Sequence, residues 1–96
     1  MGTPNLPEEM RRRIREIARR HGVSNVRVFG SVARGDAAPD SDIDFLIEVT
    51  GPTTPWFPGG LVAELEELLG RRVDVVEANA VREDLRERIL QEAEPL

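Results

Sequence analysis

Between Val26 and Val49 the chain sets down a short β-branched and aromatic run, Val26-Arg27-Val28-Phe29, a Gly30-Ser31 turn, and, after a break, a second apolar run that opens on Asp42-Ile43-Asp44. Few folds accept the order strand, glycine turn, short helix, acidic strand. A strand that yields at once to a helix leaves backbone N–H groups free at the turn, and Gly30 has no Cβ to keep an anion from them. The Ser31 hydroxyl is a further donor. Arg34, one turn on, either adds a cation for phosphate or pairs with Asp36 or Asp40. Gly35 lets the chain leave the helix in a left-handed conformation. The stretch from Asp36 to Ser41, with Pro39, reads as a turn-forming loop.

Asp42 and Asp44 stand two residues apart. On a strand, alternation sends both to one face with Cα atoms roughly 6.6 Å apart, at about 3.3 Å rise per residue. Ile43, Phe45, Ile47 and Val49 then point the other way and form the apolar side. Asp74 interrupts a later apolar run, Val73-Asp74-Val75-Val76. An isolated charge in a buried strand costs several kcal/mol unless it is paired or ligates a cation. Phosphate and metal are the chemistry these residues point to.

The rest of the chain supplies helices. Pro7 suits a first helical turn, Glu8 and Glu9 sit at the positive end of the dipole, and Met10, Ile14, Ile17 and Ala18 make an apolar stripe before Gly22, so a helix is predicted from Pro7 to His21. Strands are predicted at Val26 to Phe29, Asp42 to Val49 and Arg72 to Val76. A Pro- and Gly-rich loop covers Thr50 to Gly60, followed by a helix burying Leu61, Leu65, Leu68 and Leu69 with Gly70 as its stop. A last helix, about Val81 to Glu94, carries Val81, Leu85, Ile89 and Ala93 at helical spacing. Strands alternating with helices give an α/β sandwich, a small sheet with helices packed on it.

With 96 residues the chain is expected to be one domain, residues 1–96. The net charge of −5 opposes tight nonspecific binding to nucleic acid. No stretch approaches the roughly 18 apolar residues of a membrane span, and Met1 to Leu6 lacks the pattern of a secretory signal. The absence of cysteine fits a reducing compartment. The expected location is the cytoplasm.

Other residues read as structural. The arginines at 11, 12, 13, 15, 19 and 20 alternate with Glu8, Glu9 and Glu16 as a solvated face with i, i+4 pairs. Trp56 and Phe57 are expected to cover the edge of a core. His21 is expected to meet the last helical carbonyls. Arg82, Arg86 and Arg88 interleave with acids as surface.

Gly30-Ser31, Arg34-Gly35 and Ser41-Asp42-x-Asp44, with the later Val73-Asp74-Val75, resemble the signature of the nucleotidyltransferases related to DNA polymerase β, most closely the minimal nucleotidyltransferase domains. The resemblance runs from about Leu6 to the C-terminus. It implies a mixed sheet, with Asp74 as the third carboxylate. It further implies a magnesium-dependent enzyme that moves a nucleoside monophosphate from ATP or another NTP to a hydroxyl. Asp42 and Asp44 would bridge two Mg²⁺ ions, Asp74 would ligate the one activating the acceptor, and Gly30, Ser31 and Arg34 would hold phosphates. Domains of this kind are commonly paired with a small helical HEPN-type toxin and act as antitoxin by adding AMP to a tyrosine of it. The rivals are a non-catalytic antitoxin that only binds its partner, and an enzyme acting on a small molecule or an RNA end.

Overall fold

The computed structural model describes residues 6–35 and 41–96; the turn expected over 36–40 lies outside them. The elements are α1 (Glu8–Arg20), β1 (Val23–Phe29), α2 (Ser31–Arg34), β2 (Ile43–Val49), α3 (Gly59–Leu69), β3 (Val73–Glu77), a 3-10 turn at Ala78–Ala80, α4 (Glu83–Glu92) and β4 (Glu94–Pro95). The sheet runs β3-β2-β1-β4. Strand β1 is antiparallel to both β2 and β4, and β2 is parallel to β3, so the sheet is mixed.

One face of this sheet carries the core. Val26, Val28, Ile43, Phe45, Ile47 and Val73 pack with Ile14, Ile17 and Ala18 of α1 and with Leu61 and Leu65 of α3. Burying each such side chain contributes about 1.5–3 kcal/mol. Leu68 and Leu69 reach this cluster only half-buried. On α1, Arg12 lies 2.8 Å from Glu9 and 3.3 Å from Glu16, a solvated pairing worth a few tenths of a kcal/mol per pair. Arg11 departs from that pattern, because it is half-buried and donates from Nη2 to the Pro95 carbonyl. Arg86 likewise turns inward, donating to the Val81 carbonyl at 3.1 Å.

Several expectations shift. Strand β1 begins at Val23, three residues early, with an irregular register between Val23 and Asn25. Pro7 caps α1 in an extended conformation just outside the first turn. The last helix stops at Glu92, because the residue before a proline is driven out of helical geometry and Pro95 cannot continue the ladder of helical bonds. Glu94 and Pro95 instead pair with Val28 and Arg27 at the edge of the sheet, where a missing N–H is tolerated. No residue of α4 is buried, and Leu85 is 43% exposed.

The aromatic pair splits. Phe57 is half-buried against the core, whereas Trp56 has a positive φ of 69° and is 90% exposed. His21 also differs from expectation. Its backbone N–H reaches the Ala18 carbonyl, but the ring is buried beneath the 50–60 loop, with Nδ1 2.6 Å from Thr54 Oγ1 and Nε2 2.8 Å from Glu64 Oε1. It ties α1 to that loop and to α3. Replacing it by leucine removes both bonds from a buried position, so His21→Leu is expected to cost about 1–2 kcal/mol. A lowered urea midpoint at unchanged slope would show this; an unchanged midpoint would mean the ring is dispensable.

Candidate active site

The second face of the sheet differs at the strand starts. Register sets Phe29 of β1 beside Asp44 of β2, and Asp44 beside Asp74 of β3. Asp42 precedes β2 by one residue and shares Asp44's side by alternation. Two carboxylates thus stand side by side on adjacent strands with the third just upstream. The acidic character is local, because Leu46, next along β2 on that side, is 1% exposed.

Asp44 is half-buried, while Asp42 and Asp74 are exposed. The burial cost expected for Asp74 therefore does not arise: β3 lies at the sheet edge and leaves that side chain in water. The cost falls on Asp44. Burial, then the charges of Asp74 and Asp42, raise its pKa above the ordinary carboxylate value; Arg34 opposes the shift and Glu92 adds to it. Arg72, on the strand start beyond, approaches Asp42 only at 4.0 Å.

The turn closes over this row. Gly30 caps α2 at φ 76° and ψ −151°, a backbone conformation essentially reserved for glycine, and a Cβ there would fall on the Asp44 carboxylate. Ser31 opens α2, the Arg34 N–H reaches the Gly30 carbonyl at 3.1 Å, and Gly35 ends the helix in the left-handed region as expected. The Arg34 side chain pairs with Glu92 of α4. Asp36 and Asp40, the partners considered from sequence, lie outside the described residues.

Two residues near the site had no role in the sequence reading. Arg71 donates twice to the Ser41 carbonyl, at 3.1 and 2.6 Å, and fixes the segment that delivers Asp42. Ile43 N–H bonds to the Arg72 carbonyl at 2.9 Å, which sets the same two strand starts side by side. Glu92 is the other, 58 residues from Arg34 in sequence. Nothing in local spacing signals either.

Among the described residues, no three acidic or histidine side chains converge at metal-ligand distance. The donor set nonetheless fits Mg²⁺. This ion takes hard oxygens, keeps several waters and uses one or two carboxylates plus substrate phosphates rather than a closed protein cage. The mutual repulsion felt at Asp44 is what a bound cation would remove.

Residues 10–96 match the family model described as "Nucleotidyltransferase domain". The chain is 41% identical over 85 residues to MJ0435 of Methanocaldococcus jannaschii, which is classed by name with the protein adenylyltransferases; the match covers 88% of this chain and 91% of that one. It is 36% identical over 78 residues to the protein adenylyltransferase MntA of Thermococcus cleftensis, covering 81% and 79%. A solved structure described as a minimal nucleotidyltransferase superposes with a TM-score of 0.84 at 43% identity, over 100% of this chain and 97% of the other. A toxin–antitoxin structure with AMP-PNP shares the fold at a TM-score of 0.75 and 20% identity, over 88% and 70%. A mixed sheet carrying a glycine-serine turn over a row of aspartates, in a sequence matched along nearly its whole length, makes this chain a member of the nucleotidyltransferase domain family, on its minimal branch.

Proposed function

We propose that the protein transfers AMP from ATP to a hydroxyl on a partner protein, a tyrosine of a small helical HEPN-type toxin, and thereby acts as its antitoxin. The observation that carries this reading is the register that sets Asp44 beside Asp74 under the Gly30 turn. The relatives named as protein adenylyltransferases support a protein acceptor, and the toxin–antitoxin structure with AMP-PNP supports the pairing.

In this reading Gly30 and Ser31 hold the β- and γ-phosphates through backbone N–H groups and the hydroxyl, and Arg34 contributes a charged fork. Asp42, Asp44 and Asp74 would hold two Mg²⁺ ions. Bound there, the ions would neutralise phosphate charge and lower the pKa of the acceptor hydroxyl. The hydroxyl oxygen then attacks the α-phosphorus, the bond to pyrophosphate breaks in line, and the hydroxyl proton is lost to solvent. The chain itself works as a single domain whose acceptor arrives on the partner.

Incubating the protein with its partner, ATP and Mg²⁺ is expected to add one AMP mass to the partner at a tyrosine. No gain, or a gain that persists with Asp42→Asn and Asp44→Asn together, would overturn the enzymatic reading. Protection of cells by that double variant as complete as by the parent would favour neutralisation by binding alone.

A further inference from the structure

Helix α4 buries none of its residues, yet its last residue reaches the candidate site. Glu92, 32% exposed, pairs with the Arg34 guanidinium at the far end of the glycine turn. The Arg34 N–H bonds to the Gly30 carbonyl, and Gly30 abuts the Asp44 carboxylate, so the pair stands one helical turn from the aspartate row. A guanidinium fork is matched to carboxylate and to phosphate alike, and one fork cannot meet both fully.

We propose that Glu92 is a positioning residue that competes with the nucleotide for Arg34: the guanidinium exchanges the Glu92 carboxylate for phosphate oxygens when the triphosphate settles on Gly30 and Ser31. The inference rests on the nucleotidyltransferase reading and deepens it. Two features argue for competition rather than support. The pair joins the turn to a helix none of whose residues is buried, so it is not locked in place by the core. In addition, both partners are open to solvent, Arg34 at 51% and Glu92 at 32%, so the pair they make is weak enough for phosphate oxygens to replace.

The test is equilibrium binding of α,β-methylene ATP with Mg²⁺, an analogue that cannot be split at the bond broken in transfer, to the whole protein. Glu92→Gln is expected to bind about two- to fivefold tighter, the size of an exposed ion pair released. Arg34→Ala is expected to bind more weakly, and adding Glu92→Gln to Arg34→Ala should recover little of the gain. Unchanged or weaker binding by Glu92→Gln would overturn the proposal, since a Glu92 that aims Arg34 at phosphate would lower affinity when lost. A gain that persists undiminished without Arg34 would also overturn it, leaving Glu92 as a bare charge. If the parent binds the analogue and only these shifts fail, the competition alone is wrong; if the parent binds no nucleotide, the enzymatic reading falls with it.

Discussion

Asp44→Asn is expected to lose nucleotide transfer by about a thousandfold and, at pH 7, to melt above the parent. The two effects have one origin. Metal-borne charge stabilisation of a transferring phosphoryl group is worth several kcal/mol, and each ~1.4 kcal/mol is tenfold in rate, so removing a central ligand costs about three decades. The same carboxylate is held against its preference in the free protein by burial and by its acidic neighbours. Its pKa in the folded state therefore lies above the unfolded value of about 3.9. Between those two values the native state binds more protons than the unfolded chain, so stability falls as pH rises through that window. Above the folded value the deficit is complete. An amide carries none of it, so the gain of Asp44→Asn should be larger at pH 7 than in acid and shrink to nothing below about pH 3.9. Added Mg²⁺ should raise the melting point of the parent more than that of the variant, because a ligand stabilises only the state that binds it. Thermal melts at the two pH values, with and without Mg²⁺, check this. A variant that melts at or below the parent at pH 7 would show that the aspartate row is not a repulsive site.

How far the sequence foretells this site depends on the range of the interactions involved. Alternation within β2 is local, so the shared side of Asp42 and Asp44 and the burial of Ile43, Phe45 and Ile47 were legible from spacing alone. The end of α2 at Gly35 was legible for the same reason. The exposure of Asp74 was not, because an apolar strand at the edge of a sheet and one at its centre read alike until strand order is known. The burial of Leu46 on the side of Asp42 and Asp44 was not legible either, since the second side of the sheet is itself covered beyond the strand starts. Glu94-Pro95 carried a readable signal against helix that the apolar spacing of Val81, Leu85, Ile89 and Ala93 overrode. The contacts of His21 with Thr54 and Glu64, and of Arg34 with Glu92, join residues 33 to 58 positions apart, and no local pattern encodes them.

Gly30→Ala is expected to lower the melting point by about 8–30 °C and to abolish transfer, whereas Gly35→Ala should lower it by only about 4–8 °C and remain active. Both glycines have positive φ, 76° and 79°. Gly35 sits in the ordinary left-handed region with nothing within 4 Å of a built Cβ, so an alanine there meets only the conformational penalty, about 1 kcal/mol. Gly30 lies at ψ −151°, where strain alone amounts to about 1–3 kcal/mol, and its added methyl must also displace the Asp44 carboxylate. A loss of ~2–4 kcal/mol in a domain of this size moves the melting point by about 4–8 °C per kcal/mol. The steric part is separable from the strain. Truncating the obstacle, in Gly30→Ala with Asp44→Ala, should recover the part of the stability lost to collision and leave the backbone cost in place, while Asp44→Asn, which keeps the volume of the side chain, should not relieve the collision. Equal melting losses for Gly30→Ala and Gly35→Ala, or a Gly30→Ala penalty that Asp44→Ala leaves unchanged, would mean that the turn and the aspartate do not press on one another, and the close approach that sets a phosphate-sized turn against the acidic row would no longer account for the glycine.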